Sequence, residues 1–425
     1  MAQRVRPVMV VGAIVVIMAM TAWVGPAAAG APRTPKLTKL WVAHLIGPGS
    51  APVAEGGAVF VTAVTAKPYP QRGMKSDLYA YATTCAPAPA SCHRDLLWRH
   101  GYPVLYDTGA PVQLSPAGAD DGSVFVRWNA VGADSYYGDE QAFNAATGAQ
   151  VFAAGQGGTS SAVVGGGMVY TDWQFTCCGE EAFRGIEALD ATSGAPVFAD
   201  LFDPTSGPVV GGGDVFAGSG TSLDAFAASG SPCPAPPEPG DELAMDLGFP
   251  KACDPVWSGS TGGTVAGTPD LAGGEVVVGG ADGVLYAFPE AGCGNPTCAP
   301  DWTATVGGSI TTAVADDGTT LFVTSSNGDL EAFPVGGCGE AMCAPEWSAA
   351  VGGIPTGPAI SGGDVYVGST NDLLQVFPAP GCGAATCAAT WRADVHRPLA
   401  GAPAVAGGVV FVTDTVHSLY AYRSP

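Results

Sequence analysis

The most unusual chemistry in the sequence is carried by two adjacent cysteines, Cys177 and Cys178, in the segment TDWQFTCCGEEAFRG. Adjacent cysteines can close an eight-membered disulfide ring. Such a ring needs an unusual backbone geometry, and strained geometry is concentrated at functional sites. Three interpretations stay open: a ring that serves a ligand site, a disulfide that stiffens a long loop, or free or intermolecular thiols.

The other ten cysteines fall into local pairs, three of them in the segments GCGNPTCAPDW, GCGEAMCAPEW and GCGAATCAATW. A zinc site needs four ligands within reach, and no histidine or further cysteine accompanies these three pairs. We therefore predict local disulfides, each stabilising the fold by about 2 kcal/mol through loop closure. Two further pairs occupy the same position in longer loops. The predicted local disulfides are Cys293–Cys298, Cys338–Cys343, Cys382–Cys387, Cys85–Cys92 and Cys233–Cys253.

A further group of residues could form a binding surface. Aromatic residues mixed with a few charges are typical of binding surfaces, and they are concentrated in the segments 64–77, 127–141 and 171–185. The alternative is that these segments pack on each other as a cap with a small aromatic core. The candidate binding residues are Arg127, Trp128, Tyr136, Tyr137, Trp173, Phe175, Cys177, Cys178, Glu180 and Arg184.

The sequence assigns no catalytic residue and no metal ligand. No nucleophile motif accompanies the serines and histidines. A carboxylate pair for glycoside chemistry cannot be selected from 38 Asp and Glu residues. His396 and His417 are isolated, and we expect them to be solvated.

The elements that must position these residues are repeated eight times. Each repeat has a Gly-rich turn that leads into a β-branched and aromatic run, which predicts a hairpin and a buried strand. The eight copies are GGAVFVT (56–62), DGSVFVR (121–127), GGMVYTD (166–172), GGDVFAG (212–218), GGEVVVG (273–279), GTTLFVT (318–324), GGDVYVG (362–368) and GGVVFVT (407–413).

A second strand follows each copy, and an aromatic residue opens each repeat. The last three spacings between these aromatic residues are 45, 45 and 44 residues, a period typical of four-stranded propeller blades. The eight aromatic residues are Trp41, Trp98, Phe152, Phe198, Trp257, Trp302, Trp347 and Trp391.

The order of strands within the repeats predicts how the ring closes. If the strands of a blade are labelled A to D outward from the axis, each repeat begins with the aromatic strand D and continues through A, B and C. The chain then starts with a D strand (37–45) and ends with a C strand (418–423), which should complete one blade together. We predict an all-β, eight-bladed β-propeller closed by its N-terminal strand. Seven blades is the alternative if one irregular repeat forms no blade.

The segments FNAATGAQVF (143–152) and LDATSGAPVF (189–198) resemble the PQQ-type (quinoprotein) propeller repeat. In that repeat a strand is followed by Asp or Asn, a Thr/Ser-Gly turn and an aromatic residue, usually Trp, which docks between blades. Phe152 and Phe198 take this position here. The resemblance covers about residues 37–425 and implies the fold. The family includes PQQ-dependent dehydrogenases and non-catalytic propellers, such as an outer-membrane-protein assembly factor.

The resemblance also bears on the adjacent cysteines. PQQ-dependent alcohol dehydrogenases carry a vicinal disulfide stacked on the quinone, in a Cys-Cys motif followed by Arg-Gly, and this chain has Cys177-Cys178 followed by Arg184-Gly185. The pair lies between strands B and C here, whereas in the family it precedes the first strand of a blade. The calcium ligands and catalytic Asp of those enzymes have no assignable counterparts, and no Cys-x-x-Cys-His haem motif is present.

The N-terminus predicts export. Arg4 and Arg6 precede an apolar run from Val8 to Val24, and Ala27 and Ala29 are placed as the small residues of a cleavage site. We predict a signal peptide over residues 1–29 and one propeller domain over 30–425. A retained signal-anchor is the alternative. Export to an oxidising compartment fits an even number of cysteines.

Composition narrows the choice of partners. The net charge is −22, which disfavours nucleic acid and anionic membranes because both require a positive face. We expect a secreted or cell-envelope monomer that acts as a non-catalytic binding or scaffolding module, with a protein or glycan partner and no cofactor. The alternatives are a PQQ- and calcium-dependent dehydrogenase of alcohols or sugars, and a carbohydrate-active hydrolase or lyase.

Overall fold

The computed structural model of the protein describes residues 34–65, 76–83, 95–102, 112–115, 118–120, 122–131, 136–155, 160–175, 183–200, 203–231 and 253–425. These residues form strands, turns and bends, with no helix among them. Accordingly, no helix in this part of the chain could cross a membrane. The signal peptide predicted over residues 1–29 lies outside the described residues.

The strands form eight small sheets, the blades, and are numbered here in chain order. Blade 1 consists of β2 (Val53–Glu55), β3 (Ala58–Val64), β4 (Ser76–Ala82) and β5 (Leu96–Tyr102). Blade 2 consists of β6 (Val112–Leu114), β7 (Gly118–Asp120), β8 (Ser123–Val131), β9 (Tyr136–Asn144) and β10 (Gln150–Ala154). Blade 3 consists of β11 (Val163–Gly165), β12 (Met168–Phe175), β13 (Phe183–Asp190) and β14 (Pro196–Ala199), and blade 4 of β15 (Val209–Gly211), β16 (Asp214–Ser219), β17 (Ser222–Ala227) and β18 (Trp257–Ser260). Blade 5 consists of β19 (Asp270–Ala272), β20 (Glu275–Gly279), β21 (Val284–Pro289) and β23 (Trp302–Thr305), and blade 6 of β24 (Ala315–Asp316), β25 (Thr320–Thr324), β26 (Asp329–Pro334) and β28 (Trp347–Ala350). Blade 7 consists of β29 (Ala359–Ser361), β30 (Asp364–Gly368), β31 (Leu373–Pro378) and β32 (Trp391–Asp394). Blade 8 consists of β33 (Leu399–Ala406), β34 (Val409–Asp414), β35 (Ser418–Arg423) and the N-terminal strand β1 (Lys39–His44).

The ring closes as the strand order predicts. The innermost strands contact one another in the order β2, β7, β11, β15, β19, β24, β29, β33 and back to β2. The N-terminal strand β1 pairs antiparallel with the C-terminal strand β35, with Val42 opposite Tyr420. The eight-bladed propeller closed by its N-terminal strand is therefore confirmed, and the seven-bladed alternative is wrong.

The hydrophobic core is divided among the interfaces between blades. One cluster joins Val277 and Trp302 of blade 5 to Leu321 and Phe333 of blade 6. Strands B and C are covered on both faces by neighbouring blades, so both alternating sets of side chains are buried. This burial explains why these strands are continuous apolar runs rather than alternating ones.

The aromatic residue of strand D packs against a glycine from the next blade. Each of these glycines lies in the turn between strands C and D, with φ between +62° and +78°. A Cβ atom built on any of them would lie 2.5 to 2.8 Å from a ring atom. Glycine is therefore required for two reasons: it allows the positive φ, and it leaves room for the aromatic ring. The aromatic–glycine contacts are Trp98–Gly148, Phe152–Gly194, Phe198–Gly230, Trp257–Gly292, Trp302–Gly337 and Trp347–Gly381.

Three predicted disulfides are confirmed: Cys293–Cys298, Cys338–Cys343 and Cys382–Cys387. Cys253 is also disulfide-bonded, and Cys233, its predicted partner, lies outside the described residues. Cys85, Cys92, Cys177 and Cys178 lie outside them as well.

The disulfide loops also extend the sheet of the preceding blade, which the sequence did not predict. In blade 5 the loop forms a short strand, β22 (Thr297–Cys298), that pairs in parallel with β18 of blade 4. In blade 6 the loop forms β27 (Met342–Cys343), which pairs in parallel with β23 of blade 5. Pairing of this kind covers the main-chain groups that an edge strand would otherwise expose.

The aromatic–glycine contact can be tested at Gly292, with Gly294 as its control. Both have positive φ, but a Cβ on Gly292 would lie 2.6 Å from Trp257, whereas a Cβ on Gly294 would meet nothing within 4 Å. We expect Gly294→Ala to cost about 1–2 kcal/mol from backbone strain alone. Gly292→Ala should cost roughly 1–3 kcal/mol more, because the ring must shift. Urea unfolding under oxidising conditions measures the difference, and equal losses in the two variants would contradict this account.

Candidate functional site

The B–C hairpins of blades 1 to 3 are longer than those of the other blades. Their strands have seven, nine and eight residues, whereas strands B and C of blades 4 to 8 have five or six. The predicted long loops are thus corrected: most of 127–141 and 171–185 continues the two strands. The strands continue because pairing within the hairpin gives the main-chain N–H and C=O groups hydrogen-bond partners that an irregular loop would not provide. The hairpin tips, 66–75, 132–135 and 176–182, lie outside the described residues.

Burial also corrects the expected exposure of two candidate residues. Arg127 is fully buried and Trp173 is 2% exposed, so neither side chain can contact a partner directly. Trp128 is half-buried against the core between blades 1 and 2. Arg184 is exposed on β13 and forms an ion pair with Asp203, 3.0 Å away.

The remaining candidates lie at the ends of the hairpins. Tyr136 begins β9 and is followed by Tyr137, and Phe175 ends β12. The structure describes the positions of these residues in their strands only. Cys177, Cys178 and Glu180 lie outside the described residues. The fold thus brings the predicted segments to one side of the ring, on three consecutive blades.

A buried ion cluster joins the base of the second hairpin to that of the third. The Arg127 Nε atom donates a hydrogen bond to Glu140 Oε2 within blade 2, at 3.2 Å. The Arg127 Nη2 atom donates to Glu187 Oε1 in blade 3. Asp172 Oδ1 lies 3.9 Å from Arg127 Nη1 and accepts a hydrogen bond from the Ser160 main chain at 2.8 Å. One guanidinium therefore crosslinks two blades.

The cluster holds three carboxyl groups and one cation. Burial raises the pKa of Glu140 to about 8, the charge of Glu187 adds to this rise, and Arg127 opposes it. At neutral pH the Glu140 carboxyl is therefore largely protonated, because an ionised carboxylate is costly away from water. The neutral form leaves Arg127 to pair with Glu187.

A signal for this cluster is present in the repeats. The last residue of the eight strand-B copies is Thr or Gly in six of them, and it is Arg127 or Asp172 in the other two. In blade 6 that position is Thr324, which donates a hydrogen bond to the Thr356 carbonyl at the entrance of blade 7. Where the position is Thr it joins a blade to the next, and in blade 2 the charged Arg127 does so.

The third hairpin is also fixed at its base. The indole Nε1 of Trp173 donates a hydrogen bond to the Asp200 carbonyl at 3.1 Å. Gly185 lies so close to the same carbonyl that a Cβ would be 1.6 Å from the oxygen. Both contacts hold β12 and β13 against the connection that leads to blade 4.

A second group of titratable residues, which the sequence did not single out, lies on the innermost strands of blades 5 and 6. Asp270 on β19 and Asp316 on β24 are close enough to share a hydrogen bond, and burial followed by the charge of Asp316 raises the pKa of Asp270 to about 7. Glycoside hydrolases hold their two carboxyl groups at least about 5 Å apart. The charge of Asp316 acts on Asp270 at short range, so we do not assign the pair to glycoside hydrolysis.

A calcium-dependent quinone cofactor would need a set of carboxylate ligands for its metal ion. Among the described residues, no group of three or more His, Cys, Asp or Glu side chains is arranged to hold a metal ion. The adjacent cysteines of the resemblance lie outside those residues. We therefore derive no step through PQQ.

Comparison with known proteins shows the fold. No protein-family model matches the sequence, and no curated protein matches it. BamB from Moraxella catarrhalis has a TM-score of 0.59 and 15% identity, over 91% of this chain and 97% of that one. The computationally designed protein Ika8 has a TM-score of 0.59 and 13% identity, over 92% and 99%. Chaetomium thermophilum Raptor has a TM-score of 0.52 and 11% identity, over 92% of this chain and 29% of Raptor. This chain is thus similar in fold to solved β-propellers.

The ion cluster can be tested by comparing Arg127→Met with Glu140→Gln. Removing the guanidinium leaves Glu187 and Asp172 without their buried cation, and we expect a loss of about 3–5 kcal/mol. Glu140→Gln should change stability little at pH 5, because a protonated carboxyl and an amide have similar shape and charge.

The stability of the wild-type protein and that of Glu140→Gln should depend differently on pH. Because Glu140 keeps its proton to higher pH in the folded state, the folded protein binds more protons between pH 4.5 and about 8. Its contribution to stability is complete below that window and is lost as the pH rises through it. Urea unfolding at pH 5, 7 and 9 should show a smaller decline for Glu140→Gln than for the wild type. Parallel declines would refute the assignment.

Proposed function

We propose that this chain is an exported, disulfide-stabilised PQQ-like repeat propeller that acts as a non-catalytic binding module, requires no cofactor and functions as a monomer. Its partner, a protein or a glycan, binds the raised hairpin face, which we define as the B–C hairpins 64–77, 127–141 and 171–185. The observation that carries the proposal is that only three consecutive blades have lengthened hairpins, while the rest of the ring is regular.

The rigidity of the hairpin bases supports a binding role. Arg127 crosslinks the second and third hairpins through Glu187, and Trp173 fixes the third through the Asp200 carbonyl. Preorganised elements bind with less loss of conformational entropy than flexible ones. A buried ion cluster in an otherwise apolar interface is costly, and holding the raised hairpin face in place is the role we assign to it.

The distribution of charge is consistent with this face. Residues 203–390 contain 21 Asp and Glu residues and a single Lys, a net charge of 1 − 21 = −20. The rest of the chain has 15 − 17 = −2, or 13 − 17 = −4 without Arg4 and Arg6 of the predicted signal peptide. The hairpins therefore lie in the less acidic part of the ring, while the acidic blades repel nucleic acid.

Export and fold likeness supply further support. Three disulfides in the described residues fit an oxidising compartment outside the cytosol. The likeness in fold to BamB extends over nearly the full length of both chains, which supports the proposal of a propeller scaffold.

The proposal can be tested by shortening two hairpin tips without altering the strands below them. Residues 132–135 and 176–182 are each replaced by Asn-Gly, which closes a two-residue hairpin between the paired residues Val131 and Tyr136, or Phe175 and Phe183. Affinity capture from the secreted and envelope fractions should retain a specific partner on the intact protein and lose it on the shortened one. Met342→Ser, at an exposed residue of blade 5, serves as the control and should retain it.

Two outcomes would contradict the proposal. The first is equal capture of the partner by the intact and shortened proteins. The second is stoichiometric binding of PQQ in the presence of Ca²⁺ with dye-linked oxidation of alcohols or aldoses, lost on changing Cys177 and Cys178 to Ser. That result would favour the dehydrogenase alternative.

A further inference from the structure

The outer edges of blades 4 to 7 are each covered by an extended segment of the chain that runs parallel to strand D. In blade 7 the Arg392 N–H donates to the Pro35 carbonyl at 3.1 Å, and the Leu37 N–H donates to the Arg392 carbonyl at 2.9 Å. In every case the strand-D residue that pairs is the one directly after the tryptophan. The pairs are Ser258–Thr297, Thr303–Met342, Ser348–Thr386 and Arg392–Lys36.

The four covering segments share a second property. The residue that pairs with strand D is exposed, and the next residue is buried in the slot between two blades. The slot is open because the second residue after the tryptophan is always glycine or alanine: Gly259, Ala304, Ala349 or Ala393. The buried residues of the covering segments are Cys298, Cys343, Cys387 and Leu37. A covering segment therefore supplies main-chain hydrogen bonds and one small apolar side chain.

Blades 1 and 2 have no such cover within the described part of the chain. The next C–D connections, which would provide it, are tight turns in which Asn144 Oδ1 accepts the Thr147 N–H and Asp190 Oδ1 accepts the Ser193 N–H. These turns are too short to reach beyond the aromatic–glycine contact. The sheets accordingly end at β5 and β10.

Only one of these two edges has a small, incompletely buried residue at the slot position. In β5 the second residue after Trp98 is His100, whose ring packs 4.6 Å from that of Phe143 and occupies the slot. In β10 the corresponding residue is Ala154, as in the covered blades. Ala153, which takes the pairing position, is exposed, and Val151 on the same strand is 47% exposed. The β10 strand also carries no charged residue to discourage pairing.

We propose that the outer edge of β10 binds an extended segment of a partner protein as an added parallel strand. The segment pairs with the Ala153 main chain and inserts a residue of the size of Cys or Leu beside Ala154. Main-chain hydrogen bonds supply affinity in this mode, and the slot supplies specificity. The register follows from that of the covered blades, since Phe152 pairs with Ala142 as Trp257 pairs with Ala225.

A partner protein is a better occupant than a second copy of this chain. Two β10 strands related by a two-fold axis would pair antiparallel, whereas all four covered edges pair in parallel. The covering segments described here already occupy their own blades, which leaves none of them to cover β10 of another copy. The proposal does not depend on the raised hairpin face, because β10 lies on the outer rim.

The probe is a fluorescent peptide with the sequence of residues 34–40, TPKLTKL, which contains the segment that covers blade 7. In the intact chain, residues 34–40 stay on blade 7 because their covalent linkage gives them a high effective concentration there, so the free peptide does not displace them. Fluorescence anisotropy with the intact chain should show saturable binding below about 1 mM. A peptide with Asp in place of Leu37 should not bind.

Three variants locate the binding. Ala153→Pro removes the outward N–H and is tolerated at a sheet edge, and Ala154→His fills the slot as His100 does in blade 1. Each should weaken binding at least tenfold, whereas Ala153→Ser, which keeps the N–H, should not change it. Thermal unfolding of each variant checks that the fold is retained.

Three results would overturn the proposal. They are no saturable binding by the wild-type protein, binding that both Ala153→Pro and Ala154→His leave unchanged, and a dimer of the unliganded protein that Ala153→Pro dissociates. The third result would identify a second copy as the occupant.

Discussion

The contact between a strand-D aromatic ring and a glycine of the next blade is the interaction on which the propeller depends. A propeller has no central core, because each blade packs only on its two neighbours. The ring–glycine contact fixes the distance and angle at the six interfaces where the described residues form it. Gly292 on Trp257 and Gly194 on Phe152 have the same geometry, although one turn is part of a disulfide loop and the other is a short Asp turn. The two loop types are thus alternative ways to present the same glycine.

The blades share one frame but differ in what they add to it. Blades 4 to 6 receive disulfide loops that continue as a fifth strand or bridge, and they carry most of the negative charge. Blades 1 to 3 extend their B–C hairpins instead. In blades 2 and 3 a charged crosslink between Arg127 and Glu187 replaces the small Thr or Gly found at that position elsewhere. The described disulfide loops and the lengthened hairpins therefore lie in different sectors of the ring.

The fold could be predicted because it is repeated. The strand-B sequence and the strand-D aromatic residue each occur eight times, so the pattern stays recognisable even where a single repeat is irregular. The three confirmed disulfides could be predicted as well, since each closes a short local loop. The site was harder. Arg127 and Trp173 look like loop residues in the sequence, but they are buried because the strands continue through them. Asp270 meets Asp316 only because adjacent blades bring residues 46 positions apart together, and no local pattern records that contact.

The N-terminal segment has a consequence for how the chain reaches its folded state. Residues 35–37 cover blade 7 and β1 completes blade 8, so β1 pairs with a strand far away in the sequence, Lys39 with Tyr422. Closing so long a loop has a large entropic cost, and contacts of this sequence separation form slowly. Until β35 is in place, β1 lacks its partner strand and blade 8 is incomplete. We therefore expect the pairing of β1 with β35, which closes the ring, to be a late step of folding.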